Sequence, residues 1–262
     1  LVIRAFPLFA ASTAAMQTVA VIGALSALFG ALVATRQFDI KRVLAYSTMS
    51  QLGYMLLGAG VGAYAASAFH FFTHAFFKAL LFLGAGLVSH CLNGEQDIRK
   101  MGGLGRKHPF VYWTFLVGVL AIAGAPGFAG FFSKDEILAA TLAEGHVVLW
   151  LIGVVTAGLT AYYMARLFAL VFAGEAHERE GEGHGHGGEH HGASWTMGLP
   201  VVVLALFSVV SGWIAVPGVN QVPDEFLAPV FEAYGAHSVH VGAFGWPAVV
   251  VLALALVGFV AG

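Results

Sequence analysis

Apolar residues in this chain come in runs that are too long for strands. About twenty mostly apolar residues cross a bilayer as a helix. Seven stretches meet that length: 16–35, 42–61, 64–90, an interrupted one at 110–143, 147–173, 195–216 and 243–262. None shows the alternating pattern of a membrane barrel. The pattern therefore predicts an all-α, polytopic transmembrane helix bundle with about seven spans. A soluble fold with a very apolar core is the alternative, and the succession of so many long runs argues against it.

The fourth run departs from a simple helix. Residues 110–124 are apolar, then Ala125-Pro126-Gly127 interrupts, and the run resumes from Phe128 to Ala143. Proline lacks an N–H and clashes with the preceding turn, and glycine frees the backbone. Ser133-Lys134-Asp135-Glu136 follows directly. A broken helix with charges beside the break is a common ion-site design in transporters. A proline kink leading into an amphipathic surface helix is the other account.

Polar positions inside the runs are few and patterned. Between Tyr64 and Ser89 the only Asp, Glu, Lys or Arg is Lys78, with His74 and His70 at successive spacings of four before it. Such spacing places three side chains on one slowly drifting stripe, about 12 Å long. Titratable groups at that depth are costly unless they face protein or trapped water, and they mark proton or ion paths. The run 42–61 carries Ser47, Ser50 or Gln51, and Tyr54 on one helical face. These serve as interhelical glue or hold water inside a bundle.

Composition agrees with a membrane protein. Hydrophobic residues are 59% and DEKR 10% of the chain, against about 25% charged in soluble domains. Mean hydropathy is +0.83. The net charge of −2 gives no case for nucleic acid. A single cysteine, Cys91, excludes an internal disulfide and any multi-cysteine metal cluster. The chain starts at Leu1 without Met and stops at Gly262 inside an apolar run, so a fragment of a larger membrane protein is expected.

Charge tests the count of spans. Arg36, Lys41, Arg42, Arg99, Lys100, Arg106, Lys107, Arg166 and Arg179 fall on one side, and only Arg4 on the other. The positive-inside rule then makes loops 36–41, 91–109 and 174–194 cytoplasmic. Residues 174–194 are rich in glycine, acids and histidine, with His177, His184, His186, His190 and His191. Imidazoles at this density bind zinc or nickel weakly, so His184, His186, His190 and His191 form a weak metal candidate. The glycines give no preorganised geometry, and a solvated linker is the alternative.

Three stretches carry a specific resemblance: DIKRVLAYSTMSQLGYMLLGAG from Asp39, HFFTHAFFKALLFLGAG from His70, and GFFSKDEIL from Gly130. In this order and spacing the chain resembles the proton-conducting, antiporter-like membrane subunits of respiratory complex I, of the chain L or NADH dehydrogenase subunit 5 type. The likeness covers nearly all of 1–173 and, more loosely, the helices after it. It implies two inverted five-helix repeats, each with one broken helix. This chain then corresponds to the second repeat plus two further helices: 1–173 is the second half of the proton-conducting domain, 174–194 the His/Gly-rich loop, and 195–262 two added helices with an external loop at 217–242.

The resemblance assigns roles residue by residue. Lys78 is similar to the central membrane lysine, and His70 and His74 to the histidines leading to it. Lys134 is similar to the outlet-side lysine, with Asp135 as its acidic neighbour. Lys41 is similar to a lysine near the entry side. The implied function is proton translocation, as a subunit of NADH-quinone oxidoreductase in a bacterial inner membrane. No cofactor is implied in this chain; NADH, FMN, iron–sulfur clusters and quinone would belong to other subunits. Its implied partners are the bilayer and other membrane subunits, including a neighbouring antiporter-like one.

The family's first repeat, its glutamate–lysine pair and its lateral helix have no counterpart here, so the fragment is not expected to pump alone. The large subunit of a multisubunit sodium/proton antiporter and a membrane-bound hydrogenase subunit share these motifs. A divalent-metal transporter, suggested by the histidine-rich loop, is disfavoured by lysine at the centre.

Overall fold

A computed structural model describes residues 1–174, 195–216, 219–232 and 245–262. Its helices follow the apolar runs closely. They are α1 (Phe6–Ala10), α2 (Thr13–Arg36), α3 (Ile40–Gly60), α4 (Tyr64–Cys91), α5 (Leu104–Lys107), α6 (Pro109–Ala123), α7 (Ala129–Ala143), α8 (Val147–Phe172), α9 (Trp195–Val210), α10 (Val222–Glu232) and α11 (Trp246–Ala261). The protein is a polytopic helical membrane bundle. Among the described residues, four helical segments are long and apolar enough to cross a membrane by themselves: Thr13–Arg36, Tyr64–Cys91, Val147–Phe172 and Thr196–Ile214. The apolar helices α6 and α11 are shorter. α3 has 21 residues and carries Lys41 and Arg42 in its first turn.

Two connections hold structure that the apolar pattern did not reveal. The segment expected as an external loop at 217–242 contains α10, entered through a two-residue hairpin of β1 (Ala215–Val216) and β2 (Asn220–Gln221). α10 is amphipathic: Phe231 is buried and stacks on Tyr64, with Phe6 of α1 against both rings. This aromatic knot closes one end of the bundle. The histidine-rich candidates His177, His184, His186, His190 and His191 lie outside the described residues.

The opposite end is tied by backbone pairing. Asp39 and Asp97 form a β-bridge, with Ile40 N–H donating to Gln96 O and Ile98 N–H to Phe38 O. Arg166 donates to Gln37 O at 3.0 Å, and the Arg99 and Arg166 guanidinium carbons lie 4.1 and 4.9 Å from the Phe38 ring centroid. The Arg99 guanidinium beside Asp97 holds that carboxyl well below its usual range, at about 2. The cationic ends of α2, α3 and α8 and the cationic segment 98–100 after α4 thus gather on one side.

Asp39 also caps α3, accepting from Lys41 N–H at 2.8 Å and Arg42 N–H at 3.0 Å. Side-chain caps satisfy donors that a helix start leaves unpaired. Asp39→Ala is expected to cost about 1 kcal/mol, seen as a lower melting temperature in detergent. Asp39→Asn should keep most of the cap, and an equal fall in both variants would assign the effect to charge instead.

Packing is closest between α2 and α3. The buried face of α2 is all Ala and Gly: Ala20, Gly23, Ala24, Ala27, Gly30, Ala31 and Ala34. Small residues let two backbones touch, which is how helices associate without a hydrophobic drive in lipid. A Cβ on Gly53 would overlap the backbone of Ala27, and one on Gly23 the backbone of Leu57. This contact fixes the rotation of α3, so its polar face turns away from α2 towards α4.

Candidate functional site

α3 and α4 are joined by a short turn at 61–63 and run antiparallel. Their polar stripes therefore meet in reverse order. Lys78 Nζ donates to Ser47 Oγ at 2.9 Å, and the Gln51 amide oxygen lies 3.2 Å from His70 Nε2. Ser47, Gln51 and His70 are fully buried, and Lys78 and His74 nearly so. The Phe82 ring centroid sits 5.5 Å from Lys78 Nζ. The expected stripe of His70, His74 and Lys78 exists and faces protein. The choice left open between Ser50 and Gln51 resolves to Gln51, because Ser50 packs its backbone against Gly30 in the α2 seam.

α7 completes the site from the other side. His70 Nδ1 lies 2.8 Å from Ser133 Oγ, which is 2.9 Å from Thr73 Oγ1 and 3.1 Å from Ala129 O. A continuous buried string results: Thr73, Ser133, His70, Gln51. The rings of His70 and His74 are 6.1 Å apart, and His74 Nε2 has no hydrogen-bond partner. Thr73 and Ser133 were not singled out by the sequence pattern. Thr73 sits one turn from His70, and Ser133 precedes Lys134, so helical spacing does place both on the stripe's flank.

The fourth span is broken where Pro126 and Gly127 indicated. Gly124 adopts φ 82°, with its N–H bonded to Ala121 O and the Ala125 N–H to Leu120 O. This is a Schellman ending, and its left-handed position suits glycine. α7 restarts at Ala129. Lys134 Nζ turns back to the break and donates to Ala123 O at 3.2 Å and Ile122 O at 3.5 Å. These are among the last carbonyls of α6, at the negative end of its dipole. A Cβ on Gly124 would lie 3.1 Å from the Lys134 ammonium, so the glycine also leaves room for the charge.

Lys134 and Asp135 are both buried, at 1% and 6% exposed, which excludes the surface-helix account. They share no hydrogen bond: both Asp135 oxygens lack a hydrogen-bond partner, while Lys134 is held by backbone. Adjacent residues on a helix point about 100° apart. Lys134 therefore serves the break, and Asp135 projects from another side of α7. Lys41 stands apart from the group. It is exposed at the start of α3, six residues before Ser47.

One further residue joins the site from α8. Tyr163 is fully buried, and its hydroxyl lies beside Ser47 and Thr160 without a well-formed hydrogen bond. Ser47 thus adjoins both Lys78 and Tyr163. From Tyr163, α8 leads within one turn to Arg166 at the cationic end.

Comparison with known proteins agrees with this architecture. Residues 1–160 match the family described as NADH:quinone oxidoreductase/Mrp antiporter, transmembrane. NAD(P)H-quinone oxidoreductase chain 5 of Picosynechococcus sp. is 44% identical over 251 residues, covering 87% of this chain and 38% of that protein. NADH-quinone oxidoreductase subunit L of Rhodobacter capsulatus is 44% identical over 231 residues, covering 82% of this chain and 31% of that protein. The chain thus spans about a third of the length of these relatives. A chain of the Mrp complex from Dietzia sp. superposes with a TM-score of 0.65 at 20% identity, over 94% of this chain and 49% of that one. At that identity the likeness speaks for the fold. The family match over 1–160, the two relatives and the shared fold agree, and the chain belongs to the NADH:quinone oxidoreductase/Mrp antiporter transmembrane family.

Proposed function

We propose that this chain carries protons across the membrane as part of a subunit of NADH-quinone oxidoreductase. The observation that carries the proposal is the buried lysine Lys78, tied to α3 through Ser47 and continued along α4 by His74 and His70 to Ser133 on the broken span. The charge of a lysine held out of water depends on its neighbours, so a nearby charge can load or unload it. An imidazole can take a proton at one ring nitrogen and give one up at the other, which suits relay positions. Protons would enter from the cationic, cytoplasmic side, where Lys41 stands, and pass by Lys78, His74 and His70 towards Lys134 and Asp135.

The work would come from electron transfer in other subunits of the complex, among them a neighbouring antiporter-like one, and NADH, FMN, iron–sulfur clusters and quinone would bind there. A lone cysteine, Cys91, cannot hold an iron–sulfur cluster. The family takes its description from Mrp antiporters as well, which supports a second reading, cation/proton antiport on the same groups.

Lys134→Met in the assembled complex, reconstituted in vesicles, tests the proposal. Methionine keeps an unbranched side chain one atom shorter and removes its donors. NADH oxidation in the presence of an uncoupler should persist, while the pH gradient formed per NADH falls by about tenfold. A gradient equal to wild type would overturn the proposed route. Sodium uptake coupled to proton release in the wild-type protein would favour the antiport reading.

A further inference from the structure

His70 is held at both ring nitrogens inside the bundle, and its two partners are not alike. Ser133 on the Nδ1 side is a hydroxyl, which donates or accepts as required. Gln51 on the Nε2 side is an amide, and each of its ends does only one thing: the oxygen accepts and the nitrogen donates. Gln51 itself is fully buried, and its Nε2 has no hydrogen-bond partner. The amide is therefore fastened to His70 at one end and free at the other.

We infer that the Gln51 amide sets the tautomer of His70, and with it whether the imidazole can accept a proton. In the observed orientation the amide oxygen faces Nε2, so His70 carries its hydrogen on Nε2. Nδ1 then presents a lone pair to the Ser133 hydroxyl, and a proton gained there gives an imidazolium whose two N–H groups face two oxygens. A half-turn of the amide places its NH2 against Nε2. Only the Nδ1–H tautomer fits that arrangement. Its N–H donates to Ser133 Oγ, whose own hydrogen points to Ala129 O at 3.1 Å. An imidazolium is then barred, because two donors would face each other across 3.2 Å. The free end of Gln51 leaves the half-turn without a bond to break there.

If His70 carries protons as proposed above, Gln51 is a two-position gate on it. As a positioning residue it acts through the ring and itself passes nothing.

The test uses histidine labelled with ¹⁵N in the full-length subunit within its complex in membranes. A His70→Gln sample identifies the His70 signals. Wild type should show His70 mainly as the Nε2–H tautomer. Gln51→Met, close in size, removes the acceptor for that hydrogen, and the Nδ1–H form should gain by about tenfold. Gln51→Glu should keep His70 cationic to higher pH than wild type. An unchanged tautomer ratio in Gln51→Met, or an unmoved titration in Gln51→Glu, overturns the inference. Shifted tautomers with normal pumping uphold it and overturn the proposed route through His70 instead.

Discussion

Replacing Lys78 by alanine in the assembled complex should lower proton pumping by about tenfold or more, with NADH oxidation in uncoupled membranes retained. The expectation follows from burial and from partners. A nearly buried ammonium whose hydrogen bond goes to Ser47 is a poor structural choice, since an apolar side chain would pack there without the cost of desolvation. Positioned proton-transfer groups contribute about a hundredfold or more where their step limits the rate. Lys78→Arg separates charge from proton transfer. Arginine keeps the charge but does not release its proton, so it should not restore pumping. The measurement is the proton-to-electron ratio in vesicles, and a normal ratio in both variants would remove Lys78 from the path.

The second large effect is on folding. Gly53→Leu places a branched side chain where even a Cβ overlaps the Ala27 backbone. Neither helix can yield without turning the polar face of α3 away from α4. The cost should exceed about 3 kcal/mol, and little folded protein should accumulate in the membrane. Gly86→Ala on α4 is the matched comparison, because nothing lies within 4 Å of its added Cβ. It should accumulate normally and gain up to about 1 kcal/mol of helix propensity. Equal yields from the two variants would show that the α2–α3 seam tolerates separation.

Much of this was legible in the sequence, and the reasons are physical. Lys78 and the histidines stand out because charge is rare in an apolar run, and a spacing of four survives any error in helix ends. The break at 124–128 was announced by Pro126 and Gly127, whose backbone effects are local. The partners were harder to see. Ser133 and Thr73 are ordinary residues in helices, and only the packing of α7 on α4 brings them to His70. Tyr163 lies in an apolar run with no spacing that sets it apart. The turning of Lys134 to the α6 carbonyls, rather than to Asp135, depends on where the first half-helix ends in space. α10 was missed because eleven residues with two prolines and acids at the start give no apolar run.

The Phe38 ring, gripped by Arg99 and Arg166, has a mechanical consequence. With the Asp39–Asp97 bridge it ties the cationic ends of α2, α3 and α8 to the segment 97–100 that follows α4, as one plate. Bending at that end would have to unstack an aromatic from two cations at once. Among the described residues, the junction at 124–128 is where the helical ladder of the fourth span stops, leaving it held by turn bonds from Gly124, Ala125 and Phe128, the Trp213 indole on Gly127 O, and Lys134. Displacement driven from elsewhere in the membrane would be taken up at that junction, beside the ammonium of Lys134, as a stiff frame flexes where it is jointed.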